Sequence, residues 1–263
     1  MVIDGKKIAA GILAELKKRP VPRKFLATVL VSGDAASVSF VKQKERVAKK
    51  LGVDFRVARF PADIFEAALR KEIEKLAEDD ACGGIILQLP LPEHMNREEI
   101  IKAILVEKDV DALHSDLVLS PAVGVVEEIL LTTHYSLPTK TVAVAGFGFL
   151  VGQPVAKWLG GKVKELIALD IGDDLAQLKD ADVVILGVGK ACLVKPEMLK
   201  NDALVIDFGY SRGADSVLCG DFDPSSLRPT PYIPHPISYT PTPGGTGPIL
   251  VAKLFENFYA LNP

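Results

Sequence analysis

The sequence predicts an α/β protein with two domains, each a parallel sheet with helices on both faces. Apolar runs of strand length alternate with amphipathic helical stretches along the chain, which is typical of sheets built from βαβ units. A length of 263 residues suits two modest domains. A β-branched strand that ends in a glycine turn starts a second alternating series at Thr141.

The first series predicts three strands and four helices. Ile8, Ile12 and Leu16 recur at helical spacing, which indicates an N-terminal helix. Gly52 is a helix-ending residue, and Pro90 stops the last strand. In chain order, the predicted elements are the helix Ile3–Lys18, the strand Phe25–Val31, the helix Ser37–Leu51, the strand Val53–Ala58, the helix Ala62–Glu78, the strand Gly84–Leu89 and the helix Arg97–Leu105.

The second series predicts a Rossmann-like, doubly wound sheet. Asp182–Gly189 is expected to be its fourth-position strand, with a glycine turn at the carboxyl end, where such sheets bind ligands. Prolines cluster between Arg228 and Pro248, which predicts a stiff, irregular loop. The other predicted elements are the linking helix Pro121–Thr132, the strands Thr141–Ala145, Glu165–Leu169 and Leu204–Phe208, and the helices Gln153–Leu159 and Pro248–Leu261.

Composition limits the possible partners. The net charge is −3 and there is no basic tract, which argues against nucleic acid. No apolar run approaches the roughly 18 residues of a membrane span, and the N-terminus does not resemble a signal peptide. The three cysteines and four histidines show no metal-ligand spacing, so we expect no metal site and a cytoplasmic, reducing location. These residues are Cys82, Cys192, Cys219, His94, His114, His134 and His235.

The glycine turn after Ala145 predicts a dinucleotide site. A strand, a glycine turn and a helix bring backbone N–H groups close to a phosphate. Asp170, at the end of the next apolar run, can accept hydrogen bonds from ribose hydroxyls. The alternative is a plain tight turn without a ligand. The candidate cofactor-binding residues are Gly146, Phe147, Gly148, Val151, Gly152, Asp170, Gly187 and Gly189.

Four segments resemble the methylenetetrahydrofolate dehydrogenase/cyclohydrolase family. They are Ser37–Lys44, the Gln-Leu-Pro-Leu-Pro segment within Gly84–Pro92, Lys108–Asp111, and the Pro-Gly-Gly-Thr-Gly-Pro segment within Pro241–Pro248. The resemblance implies two α/β domains, at 1–118 joined by the C-terminal helix 246–263 and at 119–245, with an interdomain cleft and a homodimer. It also implies NAD- or NADP-dependent oxidation of 5,10-methylenetetrahydrofolate to the methenyl compound, followed by hydrolysis to 10-formyltetrahydrofolate.

The resemblance also implies roles for individual residues. Lys44 is the expected proton shuttle of the hydrolysis, and Gln88 its hydrogen-bond partner. Asp111 is the expected pterin anchor, and Phe40 a stacking platform one helical turn before Lys44. The backbone at Pro243, Gly244 and Gly245 is expected near folate and nicotinamide. From the residues alone, Lys44 could instead be a solvated lysine, Gln88 a structural amide and Asp111 a turn acid.

The sequence departs from the family at several positions. Phe40 replaces the usual tyrosine, and Ala112 a favoured glycine. The Gly146-Phe147-Gly148 turn lacks the arginine that could meet a 2′-phosphate, and Asp170 would repel that phosphate, so NAD is expected over NADP. The segment 115–120 is shorter than usual. The alternatives are a dehydrogenase without hydrolytic activity, a catalytically silent folate- or nucleotide-binding homologue, and a shikimate-type dehydrogenase.

Overall fold

The computed structural model describes residues 1–213, 217–227 and 237–263, in two compact units. The N-terminal unit comprises Ala10–Pro121 and Val251–Pro263, and the C-terminal unit comprises Met1–Ala9 and Ala122–Leu250. Residues Met1–Ala9 group with the C-terminal unit because Val2 forms a parallel bridge with Tyr239 there.

The N-terminal unit contains a three-stranded parallel sheet with the strand order β2-β1-β3. Every residue of β1 and β3 is buried, as expected for strands covered on both faces. The carboxyl end of β3 carries Gln88. The elements are α1 (Gly5–Leu16), β1 (Phe25–Val31), α2 (Ala35–Leu51), β2 (Phe55–Phe60), α3 (Glu66–Glu78), β3 (Cys82–Gln88) and α4 (Arg97–Ile101), with α1 running across the division between the units.

Helix α2 positions the first candidate residues. It begins two residues before the predicted start at Ser37, because the Asp34 carboxylate accepts hydrogen bonds from the backbone N–H groups of Ala36 and Ser37. It ends as predicted at Gly52, which has a φ of 76° and donates its N–H to Ala48. Lys44 lies on the buried face of this helix, in line with Val41 and Ala48.

The C-terminal unit contains a five-stranded parallel sheet with the order β10-β7-β6-β4-β5. Its elements are α5 (Pro121–Thr132), β4 (Thr141–Ala145), α6 (Gly152–Leu159), β5 (Glu165–Leu169), β6 (Val183–Leu186), β7 (Leu204–Asp207), the antiparallel pair β8 (Ser211–Arg212) and β9 (Leu218–Cys219), and β10 (Ser238–Tyr239). The last helix, α7 (Thr246–Leu261), begins in this unit, and its residues from Val251 onwards belong to the N-terminal unit. The strand order reverses between β4 and β6, and ligands bind at such switch points.

β6 is the third strand of this sheet in chain order and pairs with β4 on the side opposite β5, which is the fourth position of the doubly wound 3-2-1-4-5-6 order, as expected. Several element boundaries differ from the prediction. α3 begins at Glu66 because 62–65 form a turn and an extended lead-in, and α4 already ends at Ile101. Much of the predicted proline loop, 228–236, lies outside the described residues. Within the described part of the chain, no helix combines the length and apolar character needed to span a membrane.

Candidate active site

Lys44 is a buried lysine with a neutral hydrogen-bond partner. Its side chain is only 3% exposed, and its Nζ donates a hydrogen bond of 3.0 Å to Oε1 of Gln88. The solvated-lysine alternative is therefore wrong. Burial in a medium of low dielectric disfavours the ammonium form and lowers the pKa of Lys44 to about 8, although the nearby Asp111 carboxylate raises it.

This pKa makes the free amine accessible near neutral pH. With a pKa of about 8, roughly 10% of Lys44 is neutral at pH 7, compared with roughly 0.03% of a lysine at 10.5. A neutral amine has one lone pair and two N–H groups. It can therefore keep its hydrogen bond to Gln88 and still accept a proton.

Gln88 is oriented by hydrogen bonds at both ends of its amide. Its Nε2 donates to the backbone oxygen of Leu89 at 2.8 Å, and this bond turns Oε1 towards Lys44. Gln88 is 8% exposed and ends β3, so its position is set by the buried sheet. An uncharged acceptor supports the amine without the strong preference for the ammonium form that a carboxylate would create.

Phe40 lies beside Lys44 as the helical spacing predicts. The Lys44 Nζ is 5.1 Å from the centroid of the Phe40 ring, which is within cation–π distance. Phe40 is half-buried, so part of its ring remains accessible. A phenylalanine ring carries no hydroxyl, so this side chain offers no hydrogen bond.

Asp111 belongs to the same charge cluster. Burial raises the pKa of its carboxyl to about 6, Lys44 acts against this rise, and the Asp109 carboxylate adds to it. The next residue, Ala112, has a φ of 51°, in the left-handed region where glycine is favoured. A glycine would adopt this φ without the steric cost that Ala112 carries.

Three further residues, Lys108, Asp109 and Asn257, hold the loop that contains Asp111. The Lys108 Nζ donates to the backbone oxygens of Ala77 at 2.6 Å and Asp79 at 2.8 Å, at the end of α3. The Asp109 carboxylate accepts hydrogen bonds from the backbone that follows Asp111. In the sequence, Lys108 and Asp109 resemble a charged surface turn. Only the fold reveals that both side chains are buried.

The third residue is Asn257 of α7. Its Nδ2 donates to the backbone oxygens of Val110 at 2.9 Å and Leu119 at 2.8 Å. The amide thereby connects the two ends of the segment that contains Asp111. The final helix stood out in the sequence only for its apolar residues, and nothing local to Asn257 marks it as a partner of this loop.

The predicted dinucleotide turn lies at the switch point of the C-terminal sheet. A Cβ atom on Gly146 would collide with the backbone oxygen of Gly187, and one on Gly152 with that of Gly146. A Cβ on Gly187 would lie 3.2 Å from Cγ1 of Val151, directly before α6. This close packing holds the start of α6 against the ends of β4 and β6, a backbone arrangement that fits a dinucleotide. Gly148 has open space on the side where a Cβ would project.

Asp170 connects the end of β5 to this turn. Its Oδ1 accepts a hydrogen bond of 3.4 Å from the N–H of Phe147, and its own N–H donates to Oδ2 of Asp173 at 2.7 Å. Asp170 is exposed, so its carboxylate remains accessible. Two carboxylates therefore lie together where a Rossmann-like domain meets a ribose.

A buried carboxylate occupies the turn after β6. Asp221 Oδ2 accepts from the N–H groups of Val188 at 2.7 Å and Gly189 at 3.0 Å, and Oδ1 accepts from Lys190 at 2.9 Å. The N–H of the predicted cofactor residue Gly189 thus has an internal partner. Asp207 in turn accepts from the backbone N–H groups of Asp221 at 3.2 Å and Phe222 at 3.0 Å. No local sequence pattern marks Asp207 or Asp221, because the two become neighbours only in the folded sheet.

The Pro243–Gly245 segment forms a tight turn before α7. Gly244 has a φ of 104°, which requires glycine, and the Gly245 N–H donates to Pro241 at 2.7 Å.

His114 bonds through Nε2 to the backbone oxygen of Ile104 at 2.9 Å, which is typical of a loop histidine. Outside 214–216 and 228–236, no group of three or more His, Cys, Asp or Glu residues could hold a metal ion. His235 lies outside the described residues.

Comparison with known proteins identifies relatives over the whole chain. The tetrahydrofolate dehydrogenase/cyclohydrolase catalytic-domain model matches residues 3–111, and the corresponding NAD(P)-binding-domain model matches residues 120–262. The bifunctional protein FolD of Magnetococcus marinus is 36% identical over 276 residues, covering 97% of this chain and 95% of the relative. The Listeria innocua protein of the same name is 34% identical over 277 residues, again covering 97% and 95%.

Solved structures agree with these matches. The bifunctional FolD methylenetetrahydrofolate dehydrogenase/cyclohydrolase of Campylobacter jejuni has a TM-score of 0.90 and 28% identity, covering 99% of this chain and 98% of its own. The Trypanosoma brucei enzyme, solved with NADP and an inhibitor, has a TM-score of 0.90 and 27% identity, covering 99% and 96%. The two-domain α/β fold with a dinucleotide-binding domain is confirmed. The chain belongs to the tetrahydrofolate dehydrogenase/cyclohydrolase family.

Proposed function

We propose that this chain oxidises 5,10-methylenetetrahydrofolate with a nicotinamide cofactor and hydrolyses the methenyl product to 10-formyltetrahydrofolate. Family membership supports both activities, and this favours the bifunctional interpretation over a dehydrogenase-only enzyme, a silent homologue or a shikimate-type enzyme. The observation that carries the hydrolytic assignment is the buried Lys44, bonded at 3.0 Å to a neutral amide and with a pKa of about 8.

In the hydrolysis, Lys44 moves protons. Water adds to the carbon of the methenyl cation while the Lys44 amine takes one of its protons. The resulting carbinolamine collapses as the bond from carbon to N5 breaks, and the Lys44 ammonium returns its proton to N5. The products are 10-formyltetrahydrofolate and, after loss of the second water proton to solvent, one H⁺. Gln88 keeps the Nζ in place during both transfers.

In the oxidation, the protein binds and orients the reactants. When bound, the nicotinamide accepts a hydride from the methylene carbon. This step requires no protein acid or base, and alignment alone can be worth about 7–11 kcal/mol. Asp111 anchors the pterin by charge-assisted hydrogen bonds, Phe40 offers a face for stacking, and the Pro243–Gly245 backbone contributes to substrate binding.

We propose NAD as the preferred cofactor. The support comes from the carboxylates at the end of β5, where Asp173 accepts from the N–H of Asp170 at 2.7 Å. A ribose diol can donate to Asp170, whereas the negative charge of a 2′-phosphate would be repelled there. The Trypanosoma brucei relative was solved with NADP, so family membership alone does not decide the cofactor.

Steady-state kinetics with each cofactor test this preference. Wild-type kcat/KM should be higher with NAD, and Asp170→Asn should raise kcat/KM for NADP about tenfold relative to NAD, because one repulsive charge is lost. Asp180→Asn, at an exposed aspartate of the same unit, is the matched control and should leave the ratio unchanged. Wild-type preference for NADP would contradict the proposal.

We further propose a homodimer in the cytoplasm, with small molecules as the substrates and neither nucleic acid nor a membrane as a partner. None of Cys82, Cys192 and Cys219 forms a disulfide, which is typical of a reducing compartment. Sedimentation equilibrium of the purified protein tests the dimer. A mass near 28.3 kDa at micromolar concentration would contradict it.

One mixed assay separates the two activities. The protein is incubated with methylenetetrahydrofolate and cofactor, and reduced cofactor and methenyl absorbance are followed separately. Both should rise, after which the methenyl absorbance should decay faster than without enzyme. Lys44→Met should lose the accelerated decay and keep measurable oxidation. Equal loss of both activities would contradict the role given to Lys44.

A further inference from the structure

Asp109 is a fully buried carboxylate that uses only one of its oxygens. Oδ2 accepts the backbone N–H of His114 at 2.9 Å and of Ser115 at 3.1 Å. Oδ1 has no hydrogen-bond partner in the part of the chain that the structure describes. A buried charged oxygen without a partner is costly. An asparagine could accept the same two bonds, but its amide N–H groups would then lie in place of Oδ1 without acceptors. The two loop hydrogen bonds therefore use Oδ2 and leave the other oxygen of the carboxylate without a partner.

The negative charge of Asp109 acts on Asp111. Asp111 faces two charged groups of opposite effect: the Lys44 ammonium from α2 favours its carboxylate form, and Asp109 from the same loop opposes it. Two further titratable side chains belong to this loop. His114 has Nε2 3.9 Å from Asp109 Oδ2 and bonds to the Ile104 oxygen, and the Lys108 Nζ donates to the Ala77 and Asp79 oxygens. Lys44 and Asp109 therefore act on the Asp111 carboxyl with opposite sign.

We propose that Asp109 is a positioning residue for folate binding, which holds the Asp111 loop through Oδ2 and opposes the negative charge of Asp111. It does not touch the substrate and acts only through Asp111. The consequence is chemical, because a protonated carboxyl can donate a hydrogen bond to the pterin edge as well as accept one, whereas a carboxylate only accepts. The inference rests on the proposed role of Asp111 as pterin anchor.

The variant Asp109→Asn separates charge from structure. The asparagine oxygen can take the place of Oδ2 and keep both backbone hydrogen bonds, and its amide nitrogen replaces the unpartnered Oδ1. Its melting temperature should fall less than that of Asp109→Ala, because both backbone hydrogen bonds are kept. Asp109→Ala, which removes both acceptors, is the structural control and should melt at a clearly lower temperature.

The pKa of Asp111 is measured by carbon NMR. Protein labelled at the aspartate carboxyl carbons is titrated from pH 4 to 8, and the Asp111 resonance is assigned by its absence in Asp111→Asn. In Asp109→Asn the Asp111 midpoint should fall by about half a pH unit or more. An unchanged midpoint would overturn the inference. If Asp109→Asn fails to fold, Asp109→Ser takes its place in the same titration, because it also removes the charge and keeps one acceptor oxygen. An unchanged Asp111 midpoint in that variant would overturn the inference.

Kinetics then connect the charge to binding. The KM for methylenetetrahydrofolate is measured between pH 5 and 8. The KM profile of Asp109→Asn should be shifted along the pH axis by the same amount as its NMR midpoint. Its kcat at pH 7.5 should stay within about a factor of two of the wild-type value. A displaced midpoint with an undisplaced KM profile would overturn the role in binding. An unchanged KM in Asp111→Asn would contradict the proposed role of Asp111 as pterin anchor. The NMR midpoint, which is measured without substrate, does not depend on that role.

Discussion

Replacing Gln88 by glutamate should stop the hydrolysis while sparing most of the oxidation. The substitution keeps the shape of the side chain and places a carboxylate 3.0 Å from the Lys44 Nζ. Two unit charges at about 4 Å interact by roughly 4 kcal/mol at an effective dielectric of 20. The net fall in the pKa of Lys44 from 10.5 to about 8 corresponds to roughly 3 kcal/mol, which is less than this attraction. The ammonium form should therefore be restored.

The expected loss follows from the population of the free amine. A return of the pKa to 10.5 lowers the neutral fraction at pH 7 from roughly 10% to roughly 0.03%, which predicts a loss of about 100-fold or more in methenyl hydrolysis. Oxidation needs no base and should fall by less than about tenfold. The assay measures methenyl decay and cofactor reduction separately, each corrected for its uncatalysed rate.

The pH profile provides an internal check. Wild-type hydrolysis should level off above about pH 8, whereas the Gln88→Glu rate should keep rising about tenfold per pH unit towards 10. Gln177→Glu adds the same charge at an exposed position of the C-terminal unit and should change neither rate. If Gln88→Glu retained wild-type hydrolysis at pH 7, the neutral amine of Lys44 would not be the reacting form.

Three further predictions concern stability and rate. Because the pKa of Lys44 is lower in the folded than in the unfolded state, the free energy of unfolding of the wild type rises with pH between about 8 and 10.5. The free energy of unfolding of Lys44→Met minus that of the wild type, measured in urea, should therefore fall by about 2 kcal/mol from pH 7 to 9.5. The same difference for Lys42→Met, on the exposed face of α2, should not change with pH, and a pH-independent difference for Lys44→Met would refute the reasoning. Ala112→Gly should raise the free energy of unfolding by up to about 1 kcal/mol by relieving a φ of 51°, whereas Ala36→Gly in α2 should lower it by about 1 kcal/mol; destabilisation by Ala112→Gly would count against strain at this position. Phe40→Tyr should increase methenyl hydrolysis severalfold by restoring a hydroxyl near Lys44, and no gain in the decay assay would show that the missing hydroxyl is not limiting.

Local sequence patterns predicted the elements that carry most candidate residues. β1, β4 and β5 have the predicted bounds, because continuous apolar runs between glycines, prolines and charges leave little choice of strand. The glycine turn was also predictable, since close packing of β4 and β6 against α6 leaves no room for a Cβ at Gly146 or Gly152. Lys44, by contrast, was placed in the site by family resemblance, because several neighbouring lysines on the same helix are exposed.

The supporting residues could not be predicted because their partners are distant in sequence. Asn257 donates to Val110 and Leu119, and Asp221 accepts from Val188, so each acquires its role only after the chain folds. Long-range contacts of this kind leave no periodicity in either segment.

The ionisation of Lys44 is the most direct test of the account. A carbon NMR titration of protein labelled at the lysine ε-carbon, with the Lys44 resonance assigned by its absence in Lys44→Met, measures that pKa without any ligand. The account predicts a midpoint of about 8. A midpoint near the ordinary lysine value of about 10.4 would contradict the claim that burial against a neutral amide prepares Lys44 for proton transfer.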